Sequence, residues 1–365
     1  MRLGKTLKLT LGIISLGALL LSSDRVGHTV ISGPCANCHT MHASQNGTSL
    51  GGPNPALILG SGGCLACHSD SSASGYKTVA GIKYPIVYTS GGVTGNTTAG
   101  GNFYYVTQNA TYGHNVAGIT SQDSIIGSYT PPGFNATYAG WGPSSWSQQL
   151  TCGGTYGCHG IRTNVAPYND VNPWVASFAA IRGLHHKPDT YTPGSTAYRM
   201  LFGDASTPIK GKPHPTWEVD GTGQNVYYGA SVTGTPDKAT ISFLCAQCHG
   251  NFHQRPENIG SSSPWLRHPT DIPLAGTWSY FQTDYGTTIN YNKETPVAFT
   301  GTSYTNYNAT TAITTFSKTD AIVMCLSCHR AHASPYPDIL RFNYASISAG
   351  SGSNNGCLRC HSRQR

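Results

Sequence analysis

The stretch Cys325–His329 reads CLSCH, and its pattern, C-x-x-C-H, recurs along the chain. Five copies of the motif have this spacing, and one is stretched, with five residues between its two cysteines. The motifs contain every cysteine of the chain: Cys35, Cys38, Cys64, Cys67, Cys152, Cys158, Cys245, Cys248, Cys325, Cys328, Cys357 and Cys360. A histidine ends each motif: His39, His68, His159, His249, His329 and His361.

This pattern is the attachment signature of c-type haem. Two thiols add across the two vinyl groups of one porphyrin, so they must lie a few residues apart in the chain. The histidine that follows is then held under the iron as its proximal ligand. Because no cysteine is left over, the sequence predicts six covalently bound haem c groups, with the cysteines as attachment points and the six histidines as iron ligands.

Zinc and disulfides explain the cysteines less well. A zinc ribbon needs two cysteine pairs that face one ion, with no demand for a histidine after each pair. Disulfides across C-x-x-C are short and strained, and are more often redox-active than structural. A disulfide stays open as an alternative only for Cys152 and Cys158, although His159 is in place and three glycines between them let the backbone bulge away from a ring.

The first 23 residues predict a cleaved secretory signal. Arg2, Lys5 and Lys8 form its basic region, and Leu9–Leu21 form its apolar region. This apolar run is shorter than the roughly 20 residues that a membrane-spanning helix needs. We therefore predict that residues 24–365 form one secreted hexahaem domain with no membrane span after cleavage.

The formal net charge of +7 does not indicate a nucleic-acid partner. Each haem brings two propionates, so the surplus of lysine and arginine is better explained as compensation for these carboxylates. We predict that the protein binds no nucleic acid.

Low charge and many glycines predict a loop-rich chain. Charged residues are 10% of the sequence, and there are 44 glycines and 22 prolines. The Gly/Thr/Ser/Asn/Tyr-rich stretches 89–113, 127–156, 219–236 and 298–316 favour loops and short hairpins. We predict a mostly irregular multihaem cytochrome c fold, with a few short helices and short β-hairpins wrapped around a haem chain. The helices are expected at 173–183, 195–202 and 319–330, and the strands at Tyr84–Thr89 and Asn102–Thr107.

Nine histidines lie outside the attachment positions: His28, His42, His114, His185, His186, His214, His253, His268 and His332. The simplest account is ligation of all six irons by two histidines each, with three histidines to spare. Bis-histidine ligation predicts low-spin irons of low potential, since a methionine ligand is what raises the potential. His42 and His332 each lie three residues after a proximal histidine, too close to reach the far face of the same porphyrin. Each must therefore ligate a different haem, which predicts closely packed haems.

These residues resemble the OmcS-type hexahaem cytochromes. Residues 325–334 read CLSCHRAHAS and are followed by Arg341-Phe342-Asn343, and residues 38–42 read CHTMH. Gly113-His114-Asn115, Arg267-His268-Pro269 and the pair His249/His253 also match in order, and His28 stands seven residues before Cys35. The resemblance implies extracellular electron transfer by a secreted homopolymer, a conductive head-to-tail filament, which exchanges electrons with other redox proteins or extracellular acceptors and is not an enzyme. The distal ligands that it implies are His28, His42, His114, His253, His268 and His332.

His42 has a special role in this resemblance, which implies that it ligates a haem of the adjacent protomer. The third motif departs from the family pattern. The family has C-x-x-C-H there and a second histidine three residues later, whereas this chain has the wider spacing followed by Gly160-Ile161-Arg162. The ligands near the third haem therefore stay open, with His185, His186 and His214 as candidates.

Two other functions stay open. One is a periplasmic or surface electron shuttle that does not polymerise. The other is a multihaem reductase, which would need an iron with a free axial position, and the third motif is the one candidate for it.

Overall fold

A computed structural model describes residues 44–45, 48–49, 63–79, 81–136, 143–163, 174–181, 183–186, 197–231, 236–253, 268, 270–275, 288–348 and 356–360. In these ranges most of the backbone is turn and loop, because the glycine-rich polar sequence leaves few runs that suit a regular element. The longest α-helix described has seven residues. The predicted fold class, a mostly irregular chain with a few short helices and small sheets, is confirmed.

The described α-helices are all short. They are α1 (Leu65–His68), α2 (Tyr104–Gln108), α3 (Trp174–Ala180), α4 (Ile241–Ala246) and α5 (Gly301–Asn306). Single 3-10 turns lie at Ala110–Tyr112, Leu184–His186, Tyr198–Met200, Gly250–Phe252, Cys325–Ser327, Pro337–Ile339, Tyr344–Ser346 and Gly356–Arg359. Four of these elements contain attachment cysteines, so helical turns at the motifs account for much of the helix content.

The described strands have two to five residues. They are β1 (Ser44–Gln45), β2 (Thr48–Ser49), β3 (Ser69–Asp70), β4 (Gly75–Val79), β5 (Ile82–Ile86), β6 (Tyr88–Thr89), β7 (Thr151–Gly153), β8 (Gly157–His159), β9 (Gly211–Lys212), β10 (Val226–Tyr228), β11 (Ile272–Pro273), β12 (Thr288–Asn290), β13 (Ala298–Phe299), β14 (Thr315–Ser317) and β15 (Ala321–Val323). One sheet has five strands in the order β11-β15-β13-β10-β9, in which only β10 and β13 run parallel. The others pair two by two, β1 with β2, β3 with β6, β4 with β5, β7 with β8, and β12 with β14.

The five-stranded sheet separates two apolar clusters. Successive side chains of a strand point to opposite faces of a sheet. Tyr227 and Ile322 accordingly belong to one cluster, which packs against Cys158. Their neighbours Val226 and Val323 belong to the other cluster, which packs against Cys360. The sheet therefore places the third and sixth attachment motifs against different apolar clusters.

Two of the predicted elements are confirmed over their described residues. The helix predicted at 173–183 is α3, whose described residues are 174–180. The strand predicted at Tyr84–Thr89 is the end of β5 together with β6. Strands β4 and β5 pair antiparallel, and Gly81, just before β5, has φ +79°, the left-handed conformation that tight hairpins require.

The other three predicted elements are wrong. Residues 319–330 form β15 and a 3-10 turn instead of a helix, because β-branched Ile322 and Val323 are buried between β11 and β13. Residues 195–202 form only one 3-10 turn over their described part. The strand predicted at Asn102–Thr107 is α2, because Asn102 Oδ1 accepts a hydrogen bond from Tyr104 N at 2.9 Å, in the manner of a helix start.

The predicted signal segment, residues 1–23, lies outside the described residues. No helix in the described part of the chain is long and apolar enough to cross a membrane.

Candidate haem-binding sites

Ten of the twelve attachment cysteines are described, and none of these ten forms a disulfide. The disulfide left open for Cys152 and Cys158 is therefore not formed. Burial raises the pKa of the Cys248 and Cys328 thiols to about 12 and that of the Cys360 thiol to about 11. These thiols are therefore protonated at neutral pH. No group of three or more His, Cys, Asp or Glu side chains in the described ranges could hold a metal ion by itself.

A single backbone turn shapes the motifs of normal spacing. The N–H of His68 donates to Cys64 O at 3.0 Å, and His249 and His329 bond to the first cysteine of their motifs in the same way. Residues three and four apart on such a turn share one side. The turn therefore directs both cysteines and the histidine of a motif to the same side, as attachment and axial ligation of one ring require.

The stretched third motif reaches a similar result with a pair of strands. Its cysteines lie on β7 and β8, which pair parallel across the Gly-rich turn between them. The approach of the two strands is so close that a Cβ on Gly157 would lie 2.5 Å from the Cα of Gly153. Glycine at these positions is therefore what allows the extra residues to fold back.

Each described proximal histidine is fixed by a backbone carbonyl. The Nδ1 atoms of His68, His159, His249 and His329 lie 2.7–3.0 Å from the carbonyl oxygens of Pro85, Arg199, Pro132 and Asp338, respectively. We assign the proton to Nδ1, since a carbonyl can only accept. Nε2 then carries the lone pair that binds a metal.

Two of these carbonyls come from unusual backbone conformations. Arg199 has φ 50° and Asp338 has φ 58°, and the residue after each also has positive φ. A non-glycine residue in this region costs on the order of 1–3 kcal/mol. In both cases the turn aims a carbonyl at a proximal histidine, so the strain coincides with the candidate iron sites.

Three pairs of histidine rings have the spacing of axial ligands. The ring centroids are 6.4 Å apart for His68 and His185, 6.2 Å for His249 and His114, and 6.4 Å for His159 and His332. Two metal–imidazole bonds of about 2 Å each would place the ring centres roughly 6 Å apart. The ring distances of the three pairs are therefore those that one iron between two imidazoles requires.

Burial favours the neutral, metal-binding form of these imidazoles. It lowers the pKa of His249 to about 4 and that of His332 to about 3. Burial also lowers the pKa of His68, His114 and His159. These side chains are therefore uncharged at neutral pH, as coordination through Nε2 requires.

The predicted distal histidines have different surroundings. His114 and His332 each face a proximal histidine. His268 is exposed and lies near His329. Burial is the main cause of the lowered pKa of His329, and His268 lowers it further by a smaller amount than Arg341 does. His253 is buried, with its Nε2 2.9 Å from Asp271 Oδ2. The first motif (Cys35, Cys38 and His39), His28, His42 and His361 lie outside the described residues.

Two of the candidates left open at the third motif, His185 and His214, have described side chains, whereas the side chain of His186 lies outside the described part of the chain. His332 is the histidine that faces His159, while His185 faces His68 of the second motif. His214 is buried, and its Nδ1 accepts from Thr216 N at 3.3 Å and Glu218 N at 3.2 Å. Its proton is therefore on Nε2, which lies 3.9 Å from an Asp220 carboxylate oxygen, and His214 is a structural histidine. No local sequence signal distinguished His185 from His214.

Neighbouring motifs lie beside one another. The Cys64 thiol is close enough to Cys152 to raise the pKa of the Cys152 thiol, and Cys325 is close enough to Cys245 to raise the pKa of the Cys245 thiol. Cys158 lies near enough to Cys248, and Cys360 near enough to Cys328, to raise the pKa of the neighbouring thiol in addition to burial. The second to sixth motifs therefore follow one another in a continuous row.

A cleft beside Cys360 gives a further test of the cofactor. It is lined by apolar side chains, among them Leu274, Val297 and Phe316, and by the cations Lys318 and Arg359. Apolar walls suit a porphyrin plane, and cations suit its propionates. The side chains beside Cys360 are therefore chemically compatible with a haem at the sixth motif.

These features define a multihaem c-type cytochrome, with covalently bound haem c as its cofactor. The model of a family described as a doubled CXXCH motif matches residues 319–365. The chain is 26% identical over 396 aligned residues to the C-type cytochrome OmcS of Geobacter sulfurreducens, an alignment that covers 93% of this chain and 86% of that protein. The predicted resemblance to the OmcS-type cytochromes is confirmed.

The fold is also similar to solved structures. The outer membrane cytochrome S filament from Geobacter sulfurreducens aligns with a TM-score of 0.51 at 20% identity, over 89% of this chain and 88% of the other. A cryo-EM structure of the OmcS nanowires from the same organism aligns over 93% and 91% of the two chains, at 20% identity, with a TM-score of 0.45. The shared fold with the first of these agrees with the short elements and long loops described above.

Proposed function

We propose that the protein is a hexahaem cytochrome that transfers electrons outside the cell as a protomer of a conductive head-to-tail filament. The continuous row of attachment motifs, with histidine pairs at 6.2–6.4 Å along it, carries the proposal. Each haem supplies a one-electron couple. Motifs in contact with one another bring successive couples close together, so electrons can hop along the row.

The six haems are proposed to be held by all twelve cysteines, within one domain of residues 24–365. Five motifs are supported by their described geometry, and the first by its sequence alone. We propose two histidine ligands for every iron, because a proximal Nδ1–carbonyl contact and a facing histidine recur at three sites. Such ligation leaves no axial position for a substrate, so the protein is proposed to carry electrons and not to catalyse a reaction.

The filament and its location are supported by the relatives. The relative's solved form is an outer membrane cytochrome filament, and the alignment with OmcS covers 93% of this chain. We propose secretion, assembly at the cell surface, and ligation of a haem in the adjacent protomer by His42. Other redox proteins and extracellular acceptors are the proposed electron partners, with no nucleic acid among them.

Mass and spin state test the haem coordination. Intact-mass measurement of the purified protein is expected to give six added haems, and electron paramagnetic resonance is expected to give only low-spin ferric iron. His114→Ala is expected to convert one haem to high spin, because His249 then loses its facing ligand. A wild-type protein with fewer haems, or with a high-spin iron that binds carbon monoxide, would contradict the proposal.

The polymer is tested separately. Cryo-imaging of cell-surface preparations is expected to show filaments, and His42→Ala is expected to release protomers that keep their haems. A strictly monomeric wild-type protein with six low-spin haems would identify the shuttle instead.

A further inference from the structure

We infer that His185 is the distal ligand of the second haem, the one attached at Cys64 and Cys67 with His68 as proximal ligand. This inference deepens the proposed function and rests on its haem coordination. Its first support is distance, since the His185 and His68 ring centroids are 6.4 Å apart. The two pairs formed by predicted distal ligands, His114 with His249 and His332 with His159, have centroid distances of 6.2 and 6.4 Å.

The second support is the orientation of His68. Its Nδ1 donates to Pro85 O at 3.0 Å, a carbonyl of β5. Because Nδ1 is committed to this contact, Nε2 is the nitrogen available to a metal. A partner imidazole at axial distance is then what completes bis-histidine coordination.

The third support is the way in which the chain holds His185. The preceding residue, Leu184, is buried in a small apolar cluster with Ile181 and Phe202. Leu184 N also donates to Ile181 O at 2.9 Å, which ties the turn to the end of α3. The backbone at position 185 is therefore anchored by the core, and His185 does not sit on a free loop.

The fourth support links His185 to the unusual third motif. Helix α3 packs on that motif through Ser177, whose Oγ accepts from Gly153 N and donates to Gly153 O, both at 3.1 Å. Ile161 N donates to Ala180 O at 2.8 Å, and a Cβ on Gly160 would lie 2.4 Å from the same oxygen. The helix that leads to His185 can therefore dock only because the third motif has this sequence.

Position 162 itself cannot supply the ligand. It is occupied by buried Arg162, whose Nε donates to Gly157 O at 2.8 Å and whose guanidinium hydrogen-bonds with Gln247. The third motif thus has an arginine that braces its own loop, and beside it docks the helix that leads to His185.

The test uses the full-length holoprotein with His185→Ala, and with His186→Ala as the matched control in the same turn. Haem content is measured by mass, and spin state by electron paramagnetic resonance and optical absorption. In His185→Ala one haem per chain is expected to become high spin and to bind one carbon monoxide, and added imidazole is expected to restore the low-spin signal. His186→Ala is expected to keep the wild-type spectra.

The inference would be overturned if His185→Ala kept six low-spin haems and bound no carbon monoxide. It would also be overturned if one haem became high spin in His186→Ala and not in His185→Ala. If the wild-type protein itself lacks six low-spin haems, the proposed coordination fails, which is a different outcome. His185→Met covers the case in which the alanine variant does not accumulate. A thioether ligand raises the potential of its haem, so a redox titration is expected to move one haem per chain upward, and an unchanged titration would also overturn the inference.

Discussion

At each described proximal histidine, one backbone carbonyl determines which ring nitrogen is free to bind a metal. The imidazole has two nitrogens, and the one that donates to the carbonyl cannot bind a metal at the same time. The four carbonyls come from positions between 9 and 117 residues away from the histidine. A mutation in these loops could therefore change an iron site without touching a ligand.

Glu218 gives a residue-scale prediction about pH. Burial raises the pKa of its carboxyl above 4.5, against the opposing effects of the Asn225 N–H and of Arg341. The folded state then binds its proton more tightly than the unfolded state. This contribution to stability is present below pH 4.5 and is lost as the pH rises through the folded pKa.

Glu218→Gln is therefore expected to raise the free energy of unfolding at neutral pH and to flatten its fall between pH 4.5 and neutrality. Urea unfolding at a series of pH values measures both effects. The same change at the exposed Glu294 is the control, because it removes a carboxylate that lies in water. A lower stability of Glu218→Gln at neutral pH would contradict the prediction.

The sequence predicts the attachment residues from local patterns but leaves one distal ligand open. The cysteines and proximal histidines are local patterns, so spacing alone identifies them. A distal ligand is chosen by the tertiary fold, and the resemblance named His114 and His332, which do face proximal histidines. His185 was only one of three open candidates, because its approach to His68 depends on the docking of α3, over a hundred positions along the chain.

At the scale of elements, glycines at the third motif determine whether α3 can dock. Gly160 has φ +87°, and a Cβ there would meet the backbone of Ala180. Gly183, which follows α3, has φ +76° and open space around it. Both glycines have the left-handed conformation, but only Gly160 is in close contact with α3. Comparing substitutions at the two positions therefore distinguishes the cost of backbone strain from the cost of displacing α3.

Gly160→Ala is expected to lower stability more than Gly183→Ala. Left-handed strain costs about 1–2 kcal/mol at either position, and displacement of α3 adds roughly 1–3 kcal/mol at Gly160. Because α3 leads to His185, Gly160→Ala is also expected to give high-spin iron at one haem, whereas Gly183→Ala keeps all irons low spin. Thermal unfolding and electron paramagnetic resonance measure the two effects, and equal losses in both variants would show that the α3 contact contributes nothing.

Secondary-structure predictions were wrong where burial or hydrogen bonding outweighed the local conformational preference of the residues. Tyr104, Tyr105 and Val106 favour a strand by composition, yet Asn102 starts a helix there. Residues 319–330 include a helical turn at the motif, but the run before it is a central strand of the sheet. The first outcome depends on a local side-chain hydrogen bond and the second on strands distant in sequence, and periodicity reveals neither.

At the scale of the whole molecule, the described core is divided into four apolar clusters, and three of them pack against attachment cysteines. Each cluster is small for a chain of 365 residues, and a small core buries too little surface to offset the entropy of ordering long loops. Covalent haem is therefore expected to have a structural role beside its redox role, because it would add apolar surface between the described clusters.

This division predicts how the chain behaves without haem. The five-stranded sheet has buried side chains on both faces, among them Phe299 and Ile322, and is the largest sheet among the described residues. The turns of the second and third motifs lie beside each other at Cys64 and Cys152 and contain no five-stranded sheet.

Hydrogen exchange of the chain produced without haem attachment is therefore expected to leave protection in β10, β13 and β15 while the motif turns at 64–68 and 152–159 exchange freely. The holoprotein under the same conditions is the control, and it is expected to protect both regions. Equal protection of the motif turns with and without haem would mean that the polypeptide folds without its cofactor, and would contradict a structural role for haem.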